Sequence, residues 1–310
     1  MKVENLIIND VQVLTDDLKI DWTRVYNVPT VNITSNNHNH DDRYYRKAAV
    51  NSRIASLVDS INGLIEKVDL LNETKGILLS SSDAFLSVPK ANTDFSTAFT
   101  ISLGIIQALN DSDNTKGNSG IIFNKESSYE LAIGVNGYLF YALHDPDSSI
   151  SWYWIYTGVK VPLNERHKVT FIYDGTIPEV KIYLDGGLVY NSSVNGTFTI
   201  SSGSTDGSSK STTVYSLPSS LAITSDNLMF GDRPGNSQHL TNGEFDTIKI
   251  YNRALIDSEV IQILSTQEND IKVTNGLVSY YNFEGADPLN DKSGNGVNAT
   301  VNGTVSYPIL

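Results

Sequence analysis

The period of the hydrophobic positions changes twice along the chain. From Met1 to about Lys47, short apolar clusters (Leu6-Ile7-Ile8, Val11 and Val13, Val31 and Ile33) are set among polar turns and Pro29, a pattern of short strands and extended segments. So few apolar residues cannot close a core, so this region is expected to pack on symmetry mates or dock onto something larger. Between Val50 and Leu71 the spacing becomes helical: Val50, Ile54, Leu57, Ile61, Leu64, Val68 and Leu71 alternate steps of four and three over three heptads. This predicts a coiled-coil seam with Ile54, Ile61 and Val68 at a and Val50, Leu57, Leu64 and Leu71 at d. Gly76 is placed to end the helix. β-Branched a with Leu d favours two strands, whereas apolar Val58 and Ile65 at e widen the stripe and favour three. An amphipathic helix packed on its own domain would show the same spacing.

From Ile77 onward the period is two. Runs such as Phe99 to Leu103, Lys168 to Tyr173 and Val180 to Leu184 are separated by Asp-Gly, Asn-Gly and Gly-Gly turns, the signature of a sandwich or barrel. One helical exception is expected at Ser258 to Leu264, where Val260, Ile261 and Leu264 follow the cap candidate Asp257. Ser201 to Asn227, rich in Ser, Thr and Gly, reads as a long loop or insertion. The expected organisation is therefore an N-terminal segment (1–47), a coiled-coil helix (48–75) and a mainly β sandwich domain (76–310).

At 310 residues the chain can bury a sizeable core. It has no cysteine, which excludes a disulfide framework, a thiolate metal site and a cysteine nucleophile. Twenty-two basic against 35 acidic residues give a net charge of -13, the wrong sign for a nucleic-acid partner. Glu4, Asn5 and Asn9 interrupt any secretory signal pattern, and no apolar stretch approaches the roughly 20 residues of a transmembrane helix. A soluble protein with no membrane span is expected.

Two segments resemble known families. Asn37-His38-Asn39-His40-Asp41-Asp42-Arg43-Tyr44-Tyr45 resembles the His-x-His-Asp-Asp-Arg-Tyr-Tyr motif of bacteriophage tail fibre and spike proteins, where it often precedes a helical or coiled segment. Ala84 to Leu103, Arg166 to Leu188 and Gly243 to Ile261 resemble laminin-G-like, concanavalin-like sandwich domains (jelly rolls). The second resemblance implies a hairpin turn at Asp185-Gly186 and a late strand holding Ile248, Ile250 and Tyr251. Gly276 to Glu284 and Asp291 to Gly296 resemble the opening of such a domain, yet stand at the end of this one. A circular permutation, with 276–310 supplying the usual first strands, accounts for this better than a truncated second repeat, because domain termini often lie close together.

Candidate sites follow from residue type and spacing. His38 and His40 project from one face of an extended segment, so three copies around an axis would offer six imidazoles, an octahedral transition-metal site. A polar turn ahead of the helix is the plainer reading. In Ser151-Trp152-Tyr153-Trp154-Ile155-Tyr156, strand alternation places Trp152, Trp154 and Tyr156 on one face and Tyr153 and Ile155 on the other. One face must be core. The other, with the nearby His144-Asp145-Pro146-Asp147, is the candidate platform for stacking on a sugar. Asp111 to Gly117 looks like a calcium loop but has Lys116 at the sixth position and Ile122 at the twelfth, so no EF-hand cage can form. Some laminin-G-like domains bind calcium through loop carboxylates, but no ligand set matches here. Glu244 to Lys249 resembles half of the Glu-x-Asp-x-x-Glu motif of concanavalin-like glycoside hydrolases. Lys249 stands where the second Glu belongs, which removes the carboxylate pair such hydrolysis needs. These residues are expected to be solvent-facing charges on a late strand.

Together these readings imply a non-enzymatic phage fibre or spike subunit. It would be a homotrimer rather than a dimer, assembled in the host cytoplasm and carried on the virion. Its N-terminus would join other virion proteins, and its sandwich would bind a host cell-surface glycan. A head or collar fibre, or a connector that binds another virion protein, is the alternative; a glycan-degrading enzyme is a third.

Overall fold

The computed structural model describes residues 7–8, 11–12, 50–61, 76–106, 120–134, 137–146, 154–162, 165–192, 196–201, 210–233, 235, 239–240, 243–265 and 271–308. The chain forms two compact units, divided after Ile65. In the first, β1 (Ile7–Ile8) and β2 (Val11–Gln12) pair antiparallel, and residues 50–61 form a helix, α1. Val50, Leu57 and Val58 stand exposed on α1, while Ile54 and Ile61 are half-buried. The remaining heptad positions Leu64, Ile65, Val68 and Leu71 lie outside the described residues, as do His38 and His40.

The second unit is built almost wholly of strands. In chain order these are β3 (Ile77–Leu79), β4 (Phe85–Val88), β5 (Ala98–Ile106), β6 (Gly120–Lys125), β7 (Tyr129–Ile133), β8 (Tyr138–Leu143), β9 (Trp154–Lys160), β10 (Arg166–Asp174), β11 (Glu179–Leu184), β12 (Gly187–Asn191), β13 (Gly196–Ser201), β14 (Lys210–Tyr215), β15 (Leu228–Phe230), β16 (Glu244–Tyr251), β17 (Leu277–Tyr281), β18 (Thr300–Asn302) and β19 (Val305–Ser306). Among the described residues they assemble into an eight-stranded sheet, ordered β12-β11-β10-β5-β16-β3-β19 with β17 also on β16, and a nine-stranded sheet, ordered β14-β13-β9-β8-β7-β6-β15-β4-β18. All the pairings are antiparallel, and the resulting architecture is a concanavalin-like sandwich.

Alternation along each strand supplies the core. Phe99, Ile101 and Leu103 of β5 and Val169, Phe171 and Tyr173 of β10 meet Phe123, Leu131, Tyr141 and Phe230 from the other sheet. Aromatic rings link the two sheets: Phe123 to Phe171 at 5.7 Å, Tyr141 to Phe171 at 5.7 Å and Phe99 to Tyr129 at 4.3 Å between centroids. The outer face of β10 and β16 is covered in turn by a helix, α2 (Asp257–Ser265), whose Val260 and Ile263 pack with Ile172, Tyr183 and Tyr251. The helix starts one residue before the expected Ser258. Glu259 reaches back to accept the N–H of Ile256 at 3.1 Å and is gripped by the Arg253 guanidinium, which closes the first turn.

Residues 277–306 add strands to both sheets of this same sandwich. β17 pairs with β16, β18 with β4, and β19 with β3. The edge of β16 opposite β5 is thereby shared by β3 from the start of the domain and β17 from its end. Ser201 to Asn227 is not simply a loop: β14 forms a hairpin with β13 in which Thr199 opposes Thr212. The Ser-, Thr- and Gly-rich composition predicted a loop or insertion, but the β-branched run Thr212-Thr213-Val214 suits a strand.

Candidate functional site

Strands β8 and β9 pair with Phe140 opposite Tyr156 and Tyr141 opposite Ile155. Alternation therefore sends Leu139, Tyr141, Leu143 and Ile155 into the inter-sheet core and Tyr138, Phe140, Ala142, Trp154 and Tyr156 to the outer face of the nine-stranded sheet. There Ile121, Ala132, Phe140, Ala142 and Trp154 form a small buried cluster of their own, with Tyr138 and Tyr156 packed on its margin. The Tyr156 ring lies 5.3 Å from Tyr138 and 5.3 Å from Phe140, tilted by 53° and 55°. Lys160 Nζ stands 5.9 Å from the centre of the Tyr138 ring.

The expected platform is thus rearranged. Trp154 does lie on the face opposite the main core, but only 6% of it is exposed, so it backs the surface rather than forming it. Tyr156 is half-buried and remains on the surface. Trp152 lies outside the described residues. Tyr138, which sequence reasoning did not single out, is the second accessible ring; the signal was its two-residue spacing from Phe140 in a strand opposing Tyr156. His144 and Asp145 are at the other end of β8, about 13 Å along the strand from Phe140. There the His144 ring donates from Nδ1 to the Ser127 carbonyl at 2.7 Å, pinning the end of β8 to the β6–β7 turn. They do not join the aromatic corner.

The same face carries a buried polar row. Asn124 opposes Glu130 across β6 and β7, and Glu130 opposes Ala142 across β7 and β8. Arg233 lies against this row, forked onto Glu126 by two hydrogen bonds of 2.8 Å, with its Nε 3.2 Å from Glu130. Burial pushes the Glu130 carboxyl up to about 8, against the pull of Arg233, so it keeps its proton at neutral pH. Sequence reasoning did not single out this group, because Arg233 is about a hundred residues from Glu126 and Glu130 and no local pattern links them.

The charges of β16 are not solvent-facing. Glu244, Asp246 and Lys249 are buried. Arg166 bridges the first two, Nη2 to Glu244 at 2.8 Å and Nη1 to Asp246 at 2.6 Å, and Asp246 lies over Gly104, where a Cβ would sit 1.5 Å from its Oδ1. Lys249 donates to the Ile263 carbonyl at 3.1 Å in the last turn of α2, with Nζ 5.1 Å from the centre of the Tyr280 ring. The position that departs from the hydrolase motif therefore holds a helix end. Among the described residues no group of three or more His, Asp or Glu side chains is arranged to hold a metal, and no helix is long and apolar enough to cross a membrane. Asp111 to Gly117 lies outside the described residues.

Residues 80–206 match the concanavalin A-like lectin/glucanases superfamily, as a laminin-G-like domain. Among solved structures, a candidate carbohydrate-binding protein from Bacteroides ovatus ATCC 8483 shares the fold with a TM-score of 0.50 and 17% identity, over 76% of this chain and 60% of that one. A native heptameric SAP-like pentraxin from Limulus polyphemus aligns with a TM-score of 0.45 and 13% identity, over 76% of this chain and 94% of that one. This chain thus spans 60% of the length of the Bacteroides protein, less than two thirds of it. No curated protein matches it.

Proposed function

We propose that the sandwich is a glycan-binding module whose contact surface is the Tyr138–Tyr156 corner, and that the chain is a fibre or spike subunit that displays it on a virion. The observation that carries the first part is the corner itself. Two half-buried tyrosine rings stand on a rigid base of Phe140 and Trp154, with an ammonium group beside them. Such rings stack on the C–H face of a pyranose and offer phenol groups to its hydroxyls, and the packed base lowers the ordering cost of binding. Carbohydrate binding is also what the Bacteroides protein of the same fold is named for.

The fibre role is supported by the His-x-His-Asp-Asp-Arg-Tyr-Tyr resemblance and by the heptads that follow it, of which Val50, Leu57 and Val58 are exposed on α1. Three copies joined through this helix would turn weak sugar sites into an avid array, worth roughly 10²- to 10⁴-fold without new contacts. Binding rather than catalysis suits a β16 whose carboxylates are consumed by Arg166. A glycan array followed by titration calorimetry on the best ligand tests the surface. Tyr156→Ala should weaken binding about tenfold, the worth of one aromatic contact, while the variant, somewhat less stable for the lost ring packing, still melts as a folded sandwich. Undiminished binding by the folded variant would overturn the assignment of this corner.

A further inference from the structure

A second concavity lies at the end of the sandwich where β4, β6 and β8 finish and β5 and β17 begin, the opposite end of β8 from Tyr138. It holds about 420 Å³, within the range of small-ligand sites. Its polar lining is dominated by amides: Asn92 from the short 3-10 turn after β4, Asn252 just past β16, and Asn295 from the loop after β17. Asn295 spends its Nδ2 on the Leu277 and Val278 carbonyls at 2.8 and 3.1 Å, which leaves Oδ1 as an acceptor. The side-chain amides of Asn92 and Asn252 make no hydrogen bond among the described residues. Asp94 is neutralised by Lys90 and Lys125, the latter at 2.8 Å. Phe95, Val278 and Val297 complete the lining with apolar surface.

The walls are held in place before anything binds. Asp291 accepts the N–H groups of Tyr280, Ser293 and Val297 at 2.9, 2.8 and 3.1 Å, which fixes the loop that presents Asn295. Gly276, at φ +74°, leaves room for Asn252, whose Oδ1 would be 2.9 Å from a Cβ there. We infer that this notch is a second binding site, taking the terminal pyranose of an uncharged oligosaccharide. Uncommitted amides provide donors and acceptors at fixed positions for ring hydroxyls, while the apolar strip matches a sugar's C–H face. Its one lining carboxylate is held by the Lys90 and Lys125 ammonium groups and is not offered to a ligand. The inference is independent of the Tyr138–Tyr156 corner.

Saturation-transfer NMR on the full chain, with methyl glycosides of glucose, galactose, mannose and N-acetylglucosamine as probes, tests it. At least one glycoside should show transfer that is kept in Tyr156→Ala and falls at least tenfold when Asn92→Ala or Asn252→Ala is added to Tyr156→Ala. Asn92 is exposed and free of side-chain hydrogen bonds, so its variant should fold normally. The proposal is overturned if no probe shows transfer, if it vanishes in Tyr156→Ala, or if, with Tyr156→Ala in place, it survives Asn92→Ala or Asn252→Ala.

Discussion

Glu130 shows how a single residue in this sandwich takes its chemistry from position rather than type. An exposed glutamate is ionised above about 4.5, but here burial holds the proton on up to about 8. Between those values the folded protein keeps a proton that the unfolded chain has released. This group's contribution to stability is therefore intact below about pH 4.5 and is lost as pH rises to about 8. Glu130→Gln, which fixes the neutral form, should match the wild type in acid and become the more stable of the two by a few kcal/mol by pH 8.5, measured by urea unfolding at each pH. A difference that does not change with pH would sink this account. Glu244 and Asp246 teach the same lesson: two carboxylates expected to face solvent are buried instead, held by the half-buried Arg166, and Gly104 leaves space for one of them.

At the scale of elements, local chemistry was the better guide. Asp185 and Gly186 both take positive φ, 50° and 87°, and join β11 to β12 in a two-residue turn. This is the backbone that an Asp-Gly pair between alternating strands prefers. α2 was legible from Val260, Ile261 and Leu264, and Glu259 closes its first turn by accepting the Ile256 N–H. The pairing of β13 with β14 was not legible, since Ser201 to Asn227, which holds β14, is dominated by Ser, Thr and Gly and carries too little apolar alternation to mark a register. For α1, the exposed Val50, Leu57 and Val58 give the seam a direct test. In the proposed coiled coil Leu57→Asp places a charge at a d position, so light scattering should show the mass fall from that of the proposed trimer to that of one chain while the sandwich melts unchanged. An oligomer that persists would show that this seam does not hold the copies together.

At the scale of the molecule, the C-terminal 35 residues matter more than their short strands suggest, because they enter both sheets. β17 covers half the open edge of β16, β18 extends the nine-stranded sheet past β4, and Tyr281 and Phe283 are part of the main core. A chain ending at Asn275 should therefore lose its cooperative thermal transition and expose its amides to exchange throughout the sandwich, not only beside β16. Protection confined to normal levels elsewhere would show that the segment is dispensable. Sequence alone determined that the chain from Ile77 onward is a sandwich, where turns such as Asp185-Gly186 and the helix α2 fall, and that a heptad pattern precedes it, because these depend on periodicity and turn chemistry within a few residues. It could also place Trp154 and Tyr156 on one face of a strand. Only the tertiary structure decided that Trp154 is sealed while Tyr138 and Tyr156 reach the surface, that Glu130 holds a proton, and that three distant asparagines share one notch. Each of those depends on what residues far apart in the chain bring against one another, and no local period encodes that.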